Sequence, residues 1–178
     1  MAGALDGIKV IDLTTVVMGP WAAQMLGDMG AGVIKVKTPA RDISRAMGPY
    51  RNKGMAAVFL TTNRNKRSIV LDLNQGAGLK ALRRLIDKAD VFMHNFRPKI
   101  MNKFGLSYET FRGKNKDLVY CASYGFRADG PFGNKPAYDD VIQTAAGVCD
   151  LMTLSGGQPR FVPTLFADKT AAYAVFSA

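Results

Sequence analysis

Asp168 stands in the run FADKTAAY and opens a helical stretch from Lys169 to Ala178. An aspartate just before a helix is most often its N-cap, and the amide dipoles of a helix start favour the ionised carboxylate. That same ionised carboxylate is the form that attacks a thioester. From spacing alone the capping and the nucleophilic role are not separated. His94 is the only histidine, so a Ser-His or Cys-His mechanism has a single candidate base. Cys121 and Cys149 have neither a CxxC spacing nor a nearby histidine. They fit no zinc site and no disulfide framework and read as free buried thiols, so no metal site is expected. The chain carries no GxGxxG, no GxxxxGK[ST] and no GxSxG, which argues against a standard dinucleotide site, a P-loop or a nucleophile elbow.

The formal charge of +10 is unevenly spread. Between residues 41 and 67, Arg41, Arg45, Arg51, Lys53, Arg64, Lys66 and Arg67 face only Asp42, a net of +6. From 135 to 178, Lys135, Arg160 and Lys169 are outnumbered by Asp139, Asp140, Asp150 and Asp168, a net of −1. A local basic cluster suggests an anionic partner. It is not a basic helix and lacks RNP-like aromatic spacing, so a phosphate-bearing small molecule suits it at least as well as nucleic acid. The bland alternative is a solvated basic surface, with Arg64, Lys66 and Arg67 paired to acidic groups.

The elements that must position these residues follow from periodicity. Gly7–Leu13 reads as a strand, Gly19-Pro20 as a break, and Trp21–Met29 as a helix with Ala22, Met25, Leu26 and Met29 on helical spacing. Gly30 and Gly32 end it, and Val33–Val36 is the next strand, which completes a βαβ unit. The pattern recurs. Ser68–Asp72 is a strand, Asn74 a candidate N-cap, and Leu79, Leu82, Ile86 and Ala89 form the stripe of the following helix. Asp90–His94 and Leu118–Ala122 read as strands, with short helices at 99–104 and 107–111 between them. A long Gly- and Pro-rich connection over 125–136 precedes a helix at 138–146, and 155–159 is a turn. Alternation of this kind makes an open, largely parallel α/β sheet with ligands gathered beyond the carboxyl ends of its strands. The composition, 48% apolar and 21% charged, is that of a globular domain. No run approaches the ~20 apolar residues of a membrane helix. Met1–Val10 contains Asp6 and Lys9 and lacks a signal-peptide core. The cytoplasm, or an organelle matrix such as the mitochondrial one, is the expected location.

Read in order, LDGIKVIDLT, MGP, GAGVIKV, NRNKRSIVLDL, ADVFMHNFRP, FGLSYE, LVYCASYGF, DGP, AYDDVIQ and FADKTAAY resemble the class III coenzyme A transferases. This is the CaiB/BaiF type, which includes formyl-CoA and carnitine CoA transferases. The resemblance implies a Rossmann-like large domain and a homodimer of interlinked ring-shaped subunits. It places the family's nucleophile on Asp168, which would form an acyl anhydride with the donor and then an aspartyl-CoA thioester that the acceptor acid attacks. CoA would be a substrate, with no tightly bound cofactor, and the partners would be an acyl-CoA and a carboxylic acid, without nucleic acid or membrane. The CoA contacts implied fall on Val17 and Met18, and on Lys37 or Thr38, where the local alignment shifts by one. Further contacts fall on Leu71, Asp72, Leu73 and Asn74, on Asn95, Phe96 and Arg97, on Lys103, and on Pro136, Ala137, Tyr138 and Asp139. Leu71 and Phe96 would be core residues in any such sheet.

The chain also departs from the family. It carries Lys37 and His94 where glutamate is frequent. Thr15 and Val17 replace a histidine and a glutamine of formyl-CoA transferases, which argues against formate or oxalate as the acids. Family members are much longer, so residues 1–178 are expected to be the N-terminal part of the large domain. The second domain, a glycine loop and a returning C-terminal segment would be missing, and the piece alone is not expected to turn over. Two other readings stay open. A 2-methylacyl-CoA racemase shares the fold but has a histidine where this chain has Tyr138. A non-catalytic fragment binding CoA or nucleic acid would also fit the charge.

Overall fold

A computed structural model describes residues 3–178. Five strands, β1 (Lys9–Leu13), β2 (Gly32–Lys37), β3 (Lys66–Val70), β4 (Val91–His94) and β5 (Val119–Ala122), form one sheet in the order β3-β2-β1-β4-β5. Every pairing is parallel, with Ile11 opposite both Ile34 and Phe92. The helices are α1 (Met18–Asp28), α2 (Ala57–Thr61), α3 (Gly76–Ile86), α4 (Pro98–Phe104), α5 (Tyr108–Phe111), α6 (Asp139–Ala145), α7 (Val148–Leu151) and α8 (Phe166–Ser177). This is the doubly wound order of a Rossmann-type sheet.

Successive strand residues point to opposite faces, and the core divides accordingly. On one face Ile11, Leu13, Val36 and Phe92 pack with Leu82 and Ile86 of α3, Met101 of α4 and Phe111 of α5. On the other, Val10, Val33 and Met93 pack with Ala22 and Ala23 of α1 and Ala172 of α8. The small residues on α1 and α8 let two helices share that face, and Trp21 stacks at a tilt on Tyr173 with centroids 5.9 Å apart. Among the described residues no helix is long and apolar enough to cross a membrane.

Several boundaries differ from the periodicity reading. Helix α1 begins at Met18, so Gly19 and Pro20 lie inside its first turn rather than ahead of it. Proline is tolerated there because the first N–H groups of a helix have no intrahelical partner. Gly19 is required by proximity, since a Cβ at this position would overlap the Thr14 side chain. Strand β3 runs from Lys66 to Val70, two residues earlier than expected at each end. The N-cap of α3 is Gln75, not Asn74, whose side chain donates to the Asp72 carboxylate at 3.3 Å instead. Helix α8 starts at Phe166, which places Asp168 inside the first turn rather than at its cap.

Candidate active site

The strand order reverses between β1 and β4, and the crevice beyond the carboxyl ends of two such strands is where open α/β sheets bind ligands. The turn Thr14–Val17 crosses this point. The Thr14 N–H donates to the Asp12 carboxylate at 2.9 Å, and the Thr14 hydroxyl donates to the same oxygen. Asn95, at the end of β4, grips Thr15 from both sides: its carbonyl oxygen accepts the Thr15 N–H at 2.9 Å and its amide donates to the Thr15 carbonyl at 2.8 Å. Val16 adopts φ 73°, a left-handed conformation unusual for a β-branched residue. Its N–H lies 3.3 Å from each oxygen of Asp42. Val17 is buried and caps α1, its carbonyl accepting the Trp21 N–H at 2.8 Å.

Beneath this turn lies a buried ionic cluster on the α1 face of the sheet. Asp12 is fully buried 3.0 Å from the Lys66 ammonium and 3.6 Å from that of Lys35. Burial alone would raise its carboxyl, yet Lys35, Lys66 and the Thr14 hydroxyl hold it below the usual range. Lys35 also donates to the Thr14 carbonyl at 2.7 Å and lies 3.9 Å from Asp42. Burial pushes Lys66 down to about 8 although Asp12 opposes the shift. Its ammonium is fully used, donating to Asp12, to the Pro20 carbonyl at 2.7 Å and to Asn63 at 3.2 Å. Arg64 forms an ion pair with Asp28. Two of the seven clustered cations are therefore structural, as the bland reading of that run allowed.

Of the seven, Arg41 lines a cavity of about 170 Å³ at the ends of β1, β2 and β4, where it joins Lys37, Thr15, Thr38 and Phe96 around Asp42. Lys37 is held below its ordinary value by burial and then by the neighbouring charges of Arg45, Arg41 and Lys35. A pocket with more cations than carboxylates is suited to an anion. Leu71 extends the β2–β3 pairing through its N–H to the Lys37 carbonyl at 2.8 Å. Leu73 is a core residue, Asp72 turns back to accept the Asn74 N–H at 3.0 Å, and Arg97 is exposed at the N-cap of α4. Lys103 lies in the last turn of α4 and does not line this cavity. A larger cavity of about 410 Å³, between Met101, Tyr108, Tyr120 and Tyr124, includes none of the expected contact residues.

The second cluster of expected residues lies at α6 and α8. Pro136, Ala137 and Tyr138 are exposed, with Tyr138 at the N-cap of α6. Asp139 is half-buried; one of its oxygens accepts the Asp168 N–H at 2.9 Å and the other accepts the Gln143 amide at 2.6 Å. Gln143, itself buried, accepts the Val162 N–H at 2.9 Å and so ties α6 to the connection before α8. Asp168 is half-buried, and its carboxyl is pushed up to about 6 by burial and, to a lesser degree, by the Asp139 charge. The helix dipole alone would have favoured ionisation, but here desolvation and like charge outweigh it. Lys169 and Tyr173 both reach Trp21, which brings the first turns of α8 beside those of α1.

His94 is not part of either cluster. It lies on the face opposite α8, fully buried against Phe92, with Nε2 2.9 Å from the Tyr120 hydroxyl. That hydroxyl donates to the Leu106 carbonyl at 2.7 Å, which leaves it to accept from Nε2–H. Burial pushes the imidazole down to about 4, so it is a neutral core ring. Cys121 and Cys149 are free and half-buried. Among the described residues no group of three or more His, Cys, Asp or Glu is placed to hold a metal.

The model of CoA-transferase family III matches residues 5–178. The chain belongs to that family. Among family III relatives, it is 42% identical to the succinate–glutarate CoA-transferase of Agrobacterium fabrum over 92% of this chain and 43% of that protein. It is 36% identical to a probable fatty acyl-CoA transferase of Mycobacterium tuberculosis over 99% of this chain and 45% of that one. The crystal structure of a CaiB/BaiF family protein from Brucella suis superposes with a TM-score of 0.90 at 37% identity, covering 99% of this chain and 49% of that one. The chain thus spans somewhat under half the length of the curated family III relatives it matches. Asp42 and Thr14 were not among the site residues expected from sequence, and Arg41 was expected only as a member of the basic cluster. The one signal for Asp42 was its position as the lone acid within a basic run.

Proposed function

We propose that the complete polypeptide transfers CoA between an acyl-CoA and a free carboxylic acid, with residues 1–178 as the N-terminal part of its large domain. The observation that carries this reading is the placement of Asp168. It is a half-buried carboxylate in the first turn of α8, its backbone held by Asp139, beside the helix that starts from the Thr14–Val17 turn. Family membership supplies the reaction class, and the cation-lined cavity supplies the place for a phosphate of CoA.

In this reading the Asp168 carboxylate attacks the donor thioester, forming an aspartyl acyl anhydride and releasing CoA thiolate. The thiolate attacks the aspartyl carbonyl, the donor acid leaves, and an aspartyl-CoA thioester remains. The acceptor carboxylate attacks that thioester, which yields a new anhydride and free thiolate. The thiolate then takes the acyl group and restores the Asp168 carboxylate. Each tetrahedral step develops an oxyanion that preorganised N–H donors stabilise. The N–H groups of Val17 and Met18 are available for this, as neither has an acceptor among the described residues. Lys37, Arg41 and Thr38 would hold phosphate oxygens, and Asn95 would fix the turn rather than touch the ligand.

The test is CoA exchange with a panel pairing succinate, glutarate and a fatty acid with their CoA thioesters. Asp168→Asn and Asp168→Ala should each lower exchange by at least ~10³-fold, the scale of losing a covalent nucleophile. Mass spectrometry should find a CoA adduct on Asp168 in the native protein alone. More than a few per cent of activity in both variants would remove Asp168 from this role.

A further inference from the structure

We propose that Asp42 is a positioning residue whose carboxylate holds the left-handed Val16 turn and thereby aims the N–H groups of Val17 and Met18. The inference rests on the transferase reading, because those N–H groups serve the reaction only if the reacting carbonyl lies against them.

A β-branched residue at φ 73° is strained and persists only where the surroundings over-determine it. The surroundings here are three side chains. Asp12 fixes Thr14, Asn95 fixes Thr15 from both sides, and Asp42 receives the Val16 N–H on both oxygens. Asp12 lies on β1, which leads into the turn, and Asn95 directly follows β4, the neighbouring strand. Asp42 comes from elsewhere, the connection between β2 and β3, and reaches across to the strained residue.

Capping its own segment does not account for Asp42. It does accept the Ser44 N–H at 3.0 Å and the Ser44 hydroxyl at 2.7 Å, both on one oxygen. Those bonds, with Lys35 at 3.9 Å, hold the carboxylate rigidly while it is 5% exposed. The contact it makes beyond its own segment, apart from that ion pair, is with Val16. Without it Val16 would relax toward negative φ, and rotation about that residue would swing the following Val17 N–H. The donors at the start of α1 would then be present but misdirected. The loss belongs to the chemical step: Lys37, Arg41 and Phe96 line the cavity without the Val16 peptide, and Asp42, which lines it too, would on losing its charge favour an anion there rather than weaken it.

The experiment is a double-mutant cycle of Asp42→Asn and Val16→Gly in the complete polypeptide. Asparagine keeps the shape and one acceptor oxygen. Asp42→Asn should lower kcat about tenfold, short of the ~10²-fold that a 1 Å misplacement costs, without raising KM for acyl-CoA. Glycine adopts positive φ without strain, so adding Asp42→Asn to Val16→Gly should cost less than about twofold more, a clear non-additivity. A readout independent of turnover accompanies the cycle: amide exchange at Val16, whose N–H the Asp42 carboxylate accepts, should quicken about tenfold in Asp42→Asn, as expected for loss of local protection. Unchanged kcat, a loss confined to KM, fully multiplicative losses, or unchanged amide exchange would each overturn the proposal. Failure of the transferase reading looks different. The native sequence would then transfer no CoA, while amide exchange would still decide whether Asp42 holds the turn.

Discussion

Around Thr14–Val17, charge is balanced and buried: Asp12 and Asp42 lie among Lys35 and Lys66, and the turn's backbone is gripped by three side chains. Around Asp168 the arrangement is reversed. Two carboxylates face one another, no cation pairs with either among the described residues, and Pro136, Ala137 and Tyr138 stand exposed beside them. The first region is finished by the sheet's own topology and stores its polar groups in closed networks. The second leaves like charges together and raises a carboxyl toward neutrality, the pattern found where a carboxyl is kept for chemistry. The rigid scaffold and the proposed nucleophile are thus separated along the chain and brought together by the packing of α8 on α1.

The largest expected effect comes from breaking the first region. Asp12→Ala leaves two buried ammonium groups without their shared partner, and removal of one member of a buried ionic network costs about 3–5 kcal/mol. Urea unfolding of the complete polypeptide should show that loss as a lower midpoint with an unchanged slope. Asp139→Ala, in the second region, removes a repulsive charge along with a hydrogen bond and should change stability by no more than about 1 kcal/mol. Equal losses at the two positions would erase the contrast.

How far the sequence reveals these two regions differs for a physical reason. The strands and the helices that bury an apolar stripe were readable because their periodicity is imposed by the core, as at Leu79, Leu82 and Ile86. The start of α1 was misread because Gly19-Pro20 looks like a break. Its role depends on a close approach to Thr14 that no local pattern records. The short helices α2 and α7 bury few residues and leave little periodic trace. Family motifs placed Val17, Asn95, Asp139 and Asp168 among the functional candidates. Asp42 went unnoticed because its partner Val16 is 26 residues away and the bond runs to backbone, which sequence does not mark. The seven clustered cations likewise looked alike until Lys66 proved buried on Asp12 while Arg41 faced the cavity beside Lys37.

The next effect sharpens that last distinction. Lys37 is held below its ordinary value by burial and by Arg45, Arg41 and Lys35, so a bound anion relieves repulsion that the free site carries. Lys37→Ala should weaken CoA binding about tenfold, the loss of one charge-assisted contact in a partly buried site. Added salt should narrow the difference. Lys103, outside the cavity and in the exposed last turn of α4, is the comparator, and Lys103→Ala should weaken binding by less than about threefold. Calorimetric titration with CoA at two salt concentrations checks both. A stronger loss at Lys103 than at Lys37 would relocate the phosphate site.

The smallest effect concerns the second region alone and is a shift along the pH axis. In the proposed reaction Asp168 attacks as the carboxylate, so the rate should rise with pH through about 6, where burial and Asp139 have moved its titration. Asp139→Asn keeps an oxygen able to accept the Asp168 N–H and removes the like charge. The acid limb should therefore move to lower pH, yet remain above the ordinary 3.8, because burial is the larger cause and persists. Stability follows the opposite course. The unfolded carboxyl ionises near 3.8 and the folded one near 6, so the folded state holds the extra proton between those values. Its stability falls as pH rises across that window and levels off above it. Asp168→Asn removes this dependence and should gain stability relative to the native sequence near neutral pH, while losing transfer. Rate profiles and urea midpoints between pH 4 and 8 read both limbs. An acid limb unmoved by Asp139→Asn, or one moved upward, would show that the two carboxylates do not share the field that separates this region from the closed network around Asp12.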